Sequence, residues 1–459
     1  MELAHHFTGD PRALHVSTIW TKTHLTHLID DASLHRLQPV TRIRQGSRIN
    51  DRVGVLQEAF AHFAGDIDID DALCAFVHWS LLCETWRVNP TLPPPPKGFG
   101  SISHVFSSAL DAVLGRPNKF GLAGRDNIIV AVIDGLGAEQ LQQRAGHAPF
   151  LANALGPKSI TYCAYPATTS ANIGSFGTGL MPGEHGLIGH QVWDKQHNER
   201  LNLLVGWNER TDPLIWQPHQ TVAEKGVGEG VAVNVIAAEE YRSTPYSVAT
   251  MRGSNFVSAD TINDRIEAAI TVANSKGKSI SYLYFPELDK YGHKFGWTSP
   301  GWAALLEEVG SGLQKLSSSL GPKAGLLVTS DHGMVETQKD RQLVLDEYLD
   351  YGLEFFGGDT RSSYIYLRDA SAANELLEGL QPLGHALRGY LANDLVSAGW
   401  FGDVGKEAAA RMPDVILQAR SNFTLYHSGF SKQRAFDMIA HHGSISPAEM
   451  RIPLLRFGF

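Results

Sequence analysis

Three apolar runs in this sequence end in an acid or lead straight into one, and two of them add a histidine within a helical turn. "NIIVAVID" reaches Asp134, and "AGLLVTSDHGM" reaches Asp331 followed at once by His332. "SISYLYF" leads into "PELDKYGH", which sets Asp289 four residues before His293. Far downstream, "AHHGSISPAEMRIPLL" places His441 and His442 ahead of a glycine. Singly these are weak signals, because an Asp after a strand ordinarily opens a turn or caps a helix. Together, three acids and three histidines make a mixed oxygen and nitrogen donor set suited to zinc, with manganese or iron as second choices. One catalytic zinc takes three protein ligands and an open position, so this set is too large for one ion and sufficient for two. Two divalent ions a few ångströms apart can clamp the attacking and leaving oxygens of a phosphoryl displacement.

Such chemistry needs a nucleophile, and "YPATTSANIGSFGTGL" (165–180) offers one. Its spacing predicts a helix from Thr169 through about Phe176. At a helix start the free N–H groups and the macrodipole favour both an alkoxide and an incoming phosphate. A hydroxyl attacks only when a metal or base lowers its pKa, so Thr169 gains meaning from the acids and histidines. Asn172, one turn later, is placed to donate its amide to a phosphoryl oxygen. The competing reading is that Thr169 or Ser170 merely caps the helix; the metal-binding set outweighs it. The "GLG" after Asp134 suggests a dinucleotide fingerprint, but its third glycine would fall on Gln140, and that reading is rejected.

The elements that must hold these residues alternate. "NIIVAVID" (127–134), "GVAVNVIA" (230–237), "SISYLYF" (279–285) and "AGLLVTSD" (324–331) are continuous apolar runs, as for strands buried on both faces. Helical patterns such as "TINDRIEAAITVANS" and "GWAALLEEVGSGLQKLSSSL" lie between them. The expected fold is α/β, a mostly parallel central sheet flanked by helices that delivers residues at its carboxyl edge. Short strands around helices from about 340 to 425 suggest an α+β cap insertion, and 190–206 a hairpin. Residues 1–88 form a helical N-terminal region of no assigned role, and the proline run in 89–100 forms a linker. Residues 101–459 then make up the catalytic domain.

A formal net charge of −9 with scattered cations gives no footprint for a nucleic-acid polymer. Cys74, Cys83 and Cys163 are too few and too odd for a disulfide framework and point to a reducing, cytoplasmic setting. The amino-terminal stretch carries no signal-peptide pattern, and the longest apolar run, at 72–83, is too short for a bilayer. No membrane partner is expected.

In their order, "VIDGLG", "YPATTSANIGSFGTGLMPGEHGLIGH", "YFPELDKYGHKFG", "SDHGM" and "HHGSISPAEMRIPLL" resemble motifs of the alkaline phosphatase superfamily. Within it they resemble the nucleotide pyrophosphatase/phosphodiesterase (type I phosphodiesterase) family, over roughly residues 100–459. The resemblance implies an alkaline phosphatase-like fold with two divalent ions, zinc first and manganese second. It implies that Asp134, Thr169, Asp331 and His332 surround one ion, and that Asp289, His293 and His442 hold the other. His442 is preferred to His441 because the family's last ligand directly precedes a glycine. Thr169 is preferred to Thr168 because Asn172 then falls at the family's phosphate-contacting asparagine. The implied reaction is phosphoester hydrolysis in two in-line steps through a phosphothreonine.

Ser170 stands where nucleotide-binding members often carry an aromatic residue, and the last motif continues "HGS". The expected substrate is therefore a small-molecule phosphoester, with a nucleotide left open. A phosphomonoesterase, a phosphonate hydrolase or a phosphomutase on the same scaffold are the alternatives. Cys163 lacks the proline and arginine context of a sulfatase. A metal-stabilised binding module without catalysis is the non-enzyme alternative; the complete ligand set and the spare hydroxyl argue against it.

Overall fold

The computed structural model describes residues 100–349 and 352–459. The helices expected within 1–88, the prolines of the linker, and Cys74 and Cys83 lie outside the described residues. The central sheet comprises β1 (Asn127–Ile133), β2 (Ile160–Tyr162), β3 (Ala232–Ala237), β4 (Asn255–Ser258), β5 (Ser279–Phe285), β6 (Ala324–Thr329) and β7 (Arg451–Phe457). Their spatial order is β2-β7-β6-β1-β5-β3-β4. β7 alone runs against its neighbours β2 and β6; β6, β1, β5, β3 and β4 are mutually parallel. The expected α/β class is met.

Burial on both faces explains the apolar runs. Ile128, Val130 and Val132 of β1 enter one core with α1 (Val105–Leu114) and α2 (Thr169–Thr178). Ile129, Ala131 and Ile133 enter the other core with α3 (Ile262–Ala273) and α5 (Pro300–Ser318). Local chemistry sets the helix ends. α3 opens with a capping box, in which Thr261 accepts from the Asp264 N–H and Asp264 accepts from the Thr261 N–H. α5 begins with Pro300 at its first turn, where the missing N–H costs nothing, and buries Trp302, Leu306, Leu313 and Leu316 against β1, β6 and α3. Truncating one of these leucines to alanine would cost about 2–5 kcal/mol.

The strand order positions the site. β1 lies between β5 and β6, with Ile133 level with Phe285 and Val132 level with Thr329. The residues leaving all three strands therefore emerge side by side at one carboxyl edge. β5 passes directly into α4 (Glu287–Phe295), which carries Asp289 and His293.

Over that edge sits a four-stranded antiparallel sheet, ordered Leu353–Asp359, Ser362–Leu367, Val415–Ala419, Leu387–Leu391, with its own core around Ile365, Leu376 and Leu417. Gln191–Asp194 and Glu199–Asn202 form a hairpin beside it. Among the described residues no helix is long and apolar enough to cross a membrane.

Candidate active site

Asp134, Asp331 and His332 bring one donor atom each to within 4.8 Å of one another, and Asp289, His332 and His442 do the same. His293 joins the second group through its Nε2, 3.2 Å from Asp289 Oδ2. The His332 and His442 rings stack with centroids 3.8 Å apart, so the two groups adjoin. These residues come from the ends of β1 and β6, from α4 and from the loop before β7, and the parallel order of the sheet collects them. The expected ligands Asp134, Asp289, His293, Asp331, His332 and His442 thus share one cluster.

Each histidine presents the same ring nitrogen. Nδ1 of His332 donates to the Gly333 carbonyl at 3.2 Å, Nδ1 of His293 to the Ala440 carbonyl at 2.8 Å, and Nδ1 of His442 to the Ala167 carbonyl at 2.9 Å. A carbonyl only accepts, so Nδ1 carries the proton and Nε2 faces the cluster with its lone pair. The acids complete the arrangement. Asp134 Oδ1, Asp289 Oδ1 and Asp331 Oδ2 are buried and lack a hydrogen-bond partner. An unsatisfied buried acceptor costs about 1–3 kcal/mol, more when charged, so three in one place call for cations. This donor chemistry fits a pair of divalent ions.

The electrostatics agree. Burial, then the charges of Asp331 and Asp289, raise the Asp134 carboxyl well above the usual range. Its Oδ2 accepts the Tyr284 hydroxyl at 2.5 Å. Burial also works against the Asp289 charge, but a proton on the neighbouring His293 ring, the largest opposing influence, outweighs it and holds that carboxyl below its ordinary value, the place a cation would take. Burial, then the His332 ring, holds His442 neutral, as a ligand must be.

Thr169 is the first residue of α2, and its Oγ1 lies 3.1 Å from His332 Nε2. The N-cap position belongs to Thr168, whose hydroxyl makes no capping bond and donates to Asp359 Oδ1 at 3.3 Å. Neither Thr169 nor Ser170 is a cap; the Ser170 hydroxyl is buried and donates to the Gly189 carbonyl at 2.7 Å. Asn172 is a correction. Its amide, expected to reach a phosphoryl oxygen, is fully buried and donates to the Pro166 and Thr168 carbonyls at 3.0 Å each, while its Oδ1 accepts the Ala164 N–H. It braces the loop before Thr169. His441 turns away, bonding the Thr360 hydroxyl and the Met438 carbonyl.

A cavity of about 480 Å³ opens over Thr169, Asp289, His293 and His442. Its lining also includes Arg200 from the hairpin, Lys432 and Arg434, together with the apolar Phe356, Leu425 and Phe430. None of the three cations pairs with a described carboxylate. His190, at the cavity side, is pushed down to about 4 by burial, then by His293 and Arg434, while Asp289 pulls the other way. Asp359 lines the same space and is pushed up to about 8, chiefly by burial. From the sequence His190 reads as likelier structural than metal-binding; Arg200, Lys432, Arg434, Asp359 and Tyr284 were not found. The run "SKQR" just before "AHHG" was the available signal for Lys432 and Arg434, whereas Tyr284 looked like one more strand residue.

A family model for type I phosphodiesterase / nucleotide pyrophosphatase matches residues 128–444. An uncharacterized pyrophosphatase/phosphodiesterase of Schizosaccharomyces pombe is 25% identical over 245 residues, 48% of this chain and 47% of the relative. The bis(5'-adenosyl)-triphosphatase ENPP4 of Bos taurus is 26% identical over 40% of this chain and 41% of its own length. The chain thus spans less than half of these curated relatives. Among solved structures, murine ectonucleotide pyrophosphatase/phosphodiesterase 5, an inactive variant in complex with AMP, superposes with a TM-score of 0.55 at 18% identity. That match covers 71% of this chain and 87% of the other and extends the likeness to the fold.

Proposed function

The chain belongs to the type I phosphodiesterase / nucleotide pyrophosphatase family, and from that premise we propose that it hydrolyses small-molecule phosphoesters with Thr169 as nucleophile beside two divalent ions. The observation that carries this reading is the placing of the Thr169 hydroxyl 3.1 Å from His332 Nε2, next to three partnerless carboxylate oxygens. Asp134, Asp331 and His332, with Thr169, would hold one ion, and Asp289, His293 and His442 the other. Bound there, zinc would supply the Lewis acidity that lowers the hydroxyl pKa and neutralises charge on the reacting oxygens.

The chain's own residues do the positioning. The free N–H groups of the first turn of α2 would favour the phosphoryl oxygens of a substrate at Thr169. The Tyr246 hydroxyl donates to the Thr169 and Ser170 carbonyls at 3.1 and 2.9 Å and pins that first turn. Asn172 fixes the loop on its other side. An attacking atom held this way gains rate through orientation and preset electrostatics.

The AMP in the murine neighbour and the name of the bovine relative support a nucleotide as the substrate. Ser170 faces away into the Gly189 carbonyl, so any base would rest on Phe356, Leu425 and Phe430 of the cap instead. A phosphomonoesterase is the second reading, favoured by the cations Arg200, Lys432 and Arg434 in the same cavity. We propose the cytoplasm as the compartment, on the sparse cysteines alone.

The test is a paired assay on bis(p-nitrophenyl) phosphate and p-nitrophenyl phosphate, with metal analysis, for the wild type and Thr169→Ala. The expected outcome is faster diester cleavage, two ions per chain, and a loss of at least about a thousandfold in the variant with its metal retained. Near-normal turnover of metal-replete Thr169→Ala would remove the nucleophile assignment.

A further inference from the structure

We propose that Arg361, outside the catalytic cluster, is a positioning residue: its buried pair with Glu449 fixes the loop carrying His442 and the turn carrying His332. The inference rests on the two-ion reading above.

Arg361 occupies the turn between the cap strands Leu353–Asp359 and Ser362–Leu367, and its side chain and that of Glu449 are both fully buried. The pairing is a two-pronged fork. Arg361 Nε donates to Glu449 Oε1 at 2.8 Å and Nη2 to Oε2 at 2.9 Å, while Nη1 donates to the Phe423 carbonyl at 2.6 Å. Removing two charges from water is costly, and a buried pair persists only where its remaining valences are filled. What fills them here points at the metal ligands.

The Ser444 N–H donates to Glu449 Oε1 at 2.9 Å, and the Ser446 hydroxyl donates to Oε2. One carboxylate therefore holds the segment that begins two residues beyond His442. The backbone carbonyl of Glu449 accepts the Gly333 N–H at 2.9 Å, next to His332. Between them, Gly443 has φ +130, and a Cβ there would meet the Asp359 Cβ at 2.9 Å, so loop and cap turn touch without slack. The Gly443 carbonyl accepts the Ala167 N–H at 3.2 Å while His442 Nδ1 donates to the Ala167 carbonyl, which carries the same restraint to the segment before Thr169.

A purely structural salt bridge would also need its valences filled, but not from the segments that carry the metal ligands. Groups that orient metal ligands from behind typically alter metal affinity ten- to a hundredfold when removed. An apolar pair of similar volume can replace a buried ion pair with little loss of stability, which separates the two roles. Arg361→Met with Glu449→Leu fills the space but releases Ser444 and Ser446. Arg361→Lys keeps the charge and loses the fork.

The test uses the full chain, with circular dichroism and thermal melting to establish folding. Zinc affinity is then measured by competition with a chromophoric chelator after metal stripping, alongside kcat and KM on bis(p-nitrophenyl) phosphate. The expected result is a folded double variant whose zinc affinity falls roughly ten- to a hundredfold, with kcat reduced more than KM is raised. Arg361→Lys should fall between it and the wild type. A folded double variant with wild-type zinc affinity would overturn the proposal. Should the double variant not fold, Arg361→Lys decides, and unchanged affinity there overturns it equally. A wild type that binds no zinc overturns the two-ion reading along with it, an outcome distinct from a change confined to the variants.

Discussion

His185 is a buried imidazole between α2 and the loop that follows it. The Leu187 N–H donates to its Nδ1 at 3.1 Å, so Nε2 carries the proton and donates to the Ser175 hydroxyl at 3.0 Å. The bond from Leu187 needs the neutral ring, since a protonated Nδ1 could not accept it, and burial, ahead of the smaller contributions around it, pushes the His185 pKa down to about 3 from an ordinary 6.5. Below pH 6.5 the unfolded chain takes up a proton that the folded chain refuses until about pH 3. Stability from this residue is full above 6.5 and is lost as pH falls through that window, by about 2 kcal/mol at pH 5. His441, pushed down to about 3 by burial and His293, adds in the same direction. Urea midpoints at pH 7.5 and 5 should therefore fall further for the wild type than for His185→Gln, and equal falls would reject the assignment. At this scale the metal-ligand candidates were legible because each acid lies at or shortly after the end of a buried strand. Asn172 was misread because spacing places a residue on a helix but does not say which carbonyls will claim its amide. Tyr284 and Asp359 were invisible because their meaning comes from neighbours distant in the chain.

α2 does two jobs at once: its first turn carries Thr169, and its body packs against the short helix Pro245–Met251. The packing is backbone to backbone. A Cβ on Gly177 would lie 2.1 Å from the Thr250 carbonyl oxygen, which has no rotamer to change. In an open helix Gly→Ala gains up to about 1 kcal/mol, but here the added methyl must push two elements apart, at a cost of about 1–3 kcal/mol. Because α2 moves as a unit, Thr169 should move with it, and a misplacement on the order of 1 Å costs roughly a hundredfold in rate. Gly177→Ala should thus lower both the urea midpoint and kcat; a more stable variant with normal kcat would show that the helices are not in this contact. β1, β3, β5 and β6 were readable from their apolar runs, and so were α3 and α5 from their period. β7 running antiparallel beside β6 was not, because periodicity reports how buried a strand is and not which strand it pairs with. β2 and β4, at three and four residues, are too short to show any period.

For the molecule as a whole, a formal net charge of −9 opposes the approach of an anionic substrate. The cavity reverses that locally, since Arg200 from the hairpin and Lys432 and Arg434 beyond the cap sheet line it with no described carboxylate in partnership. Their convergence was not legible, because Arg200 stands more than two hundred residues from Lys432 and Arg434 and only the fold brings them to one cavity. A lining of this kind selects substrates with negative charge beyond the scissile phosphorus, such as ATP, over bis(p-nitrophenyl) phosphate, which has none. All three side chains are exposed, so each is worth at most about 1 kcal/mol and is screened by salt. Replacing all three with glutamine should raise KM for ATP roughly tenfold or more and leave KM for the diester almost unchanged. Raising the ionic strength should weaken ATP binding in the wild type and have little effect on the triple variant, because the charges that salt screens are already gone. Equal KM shifts on both substrates would mean that the lining shapes the cavity without reading charge.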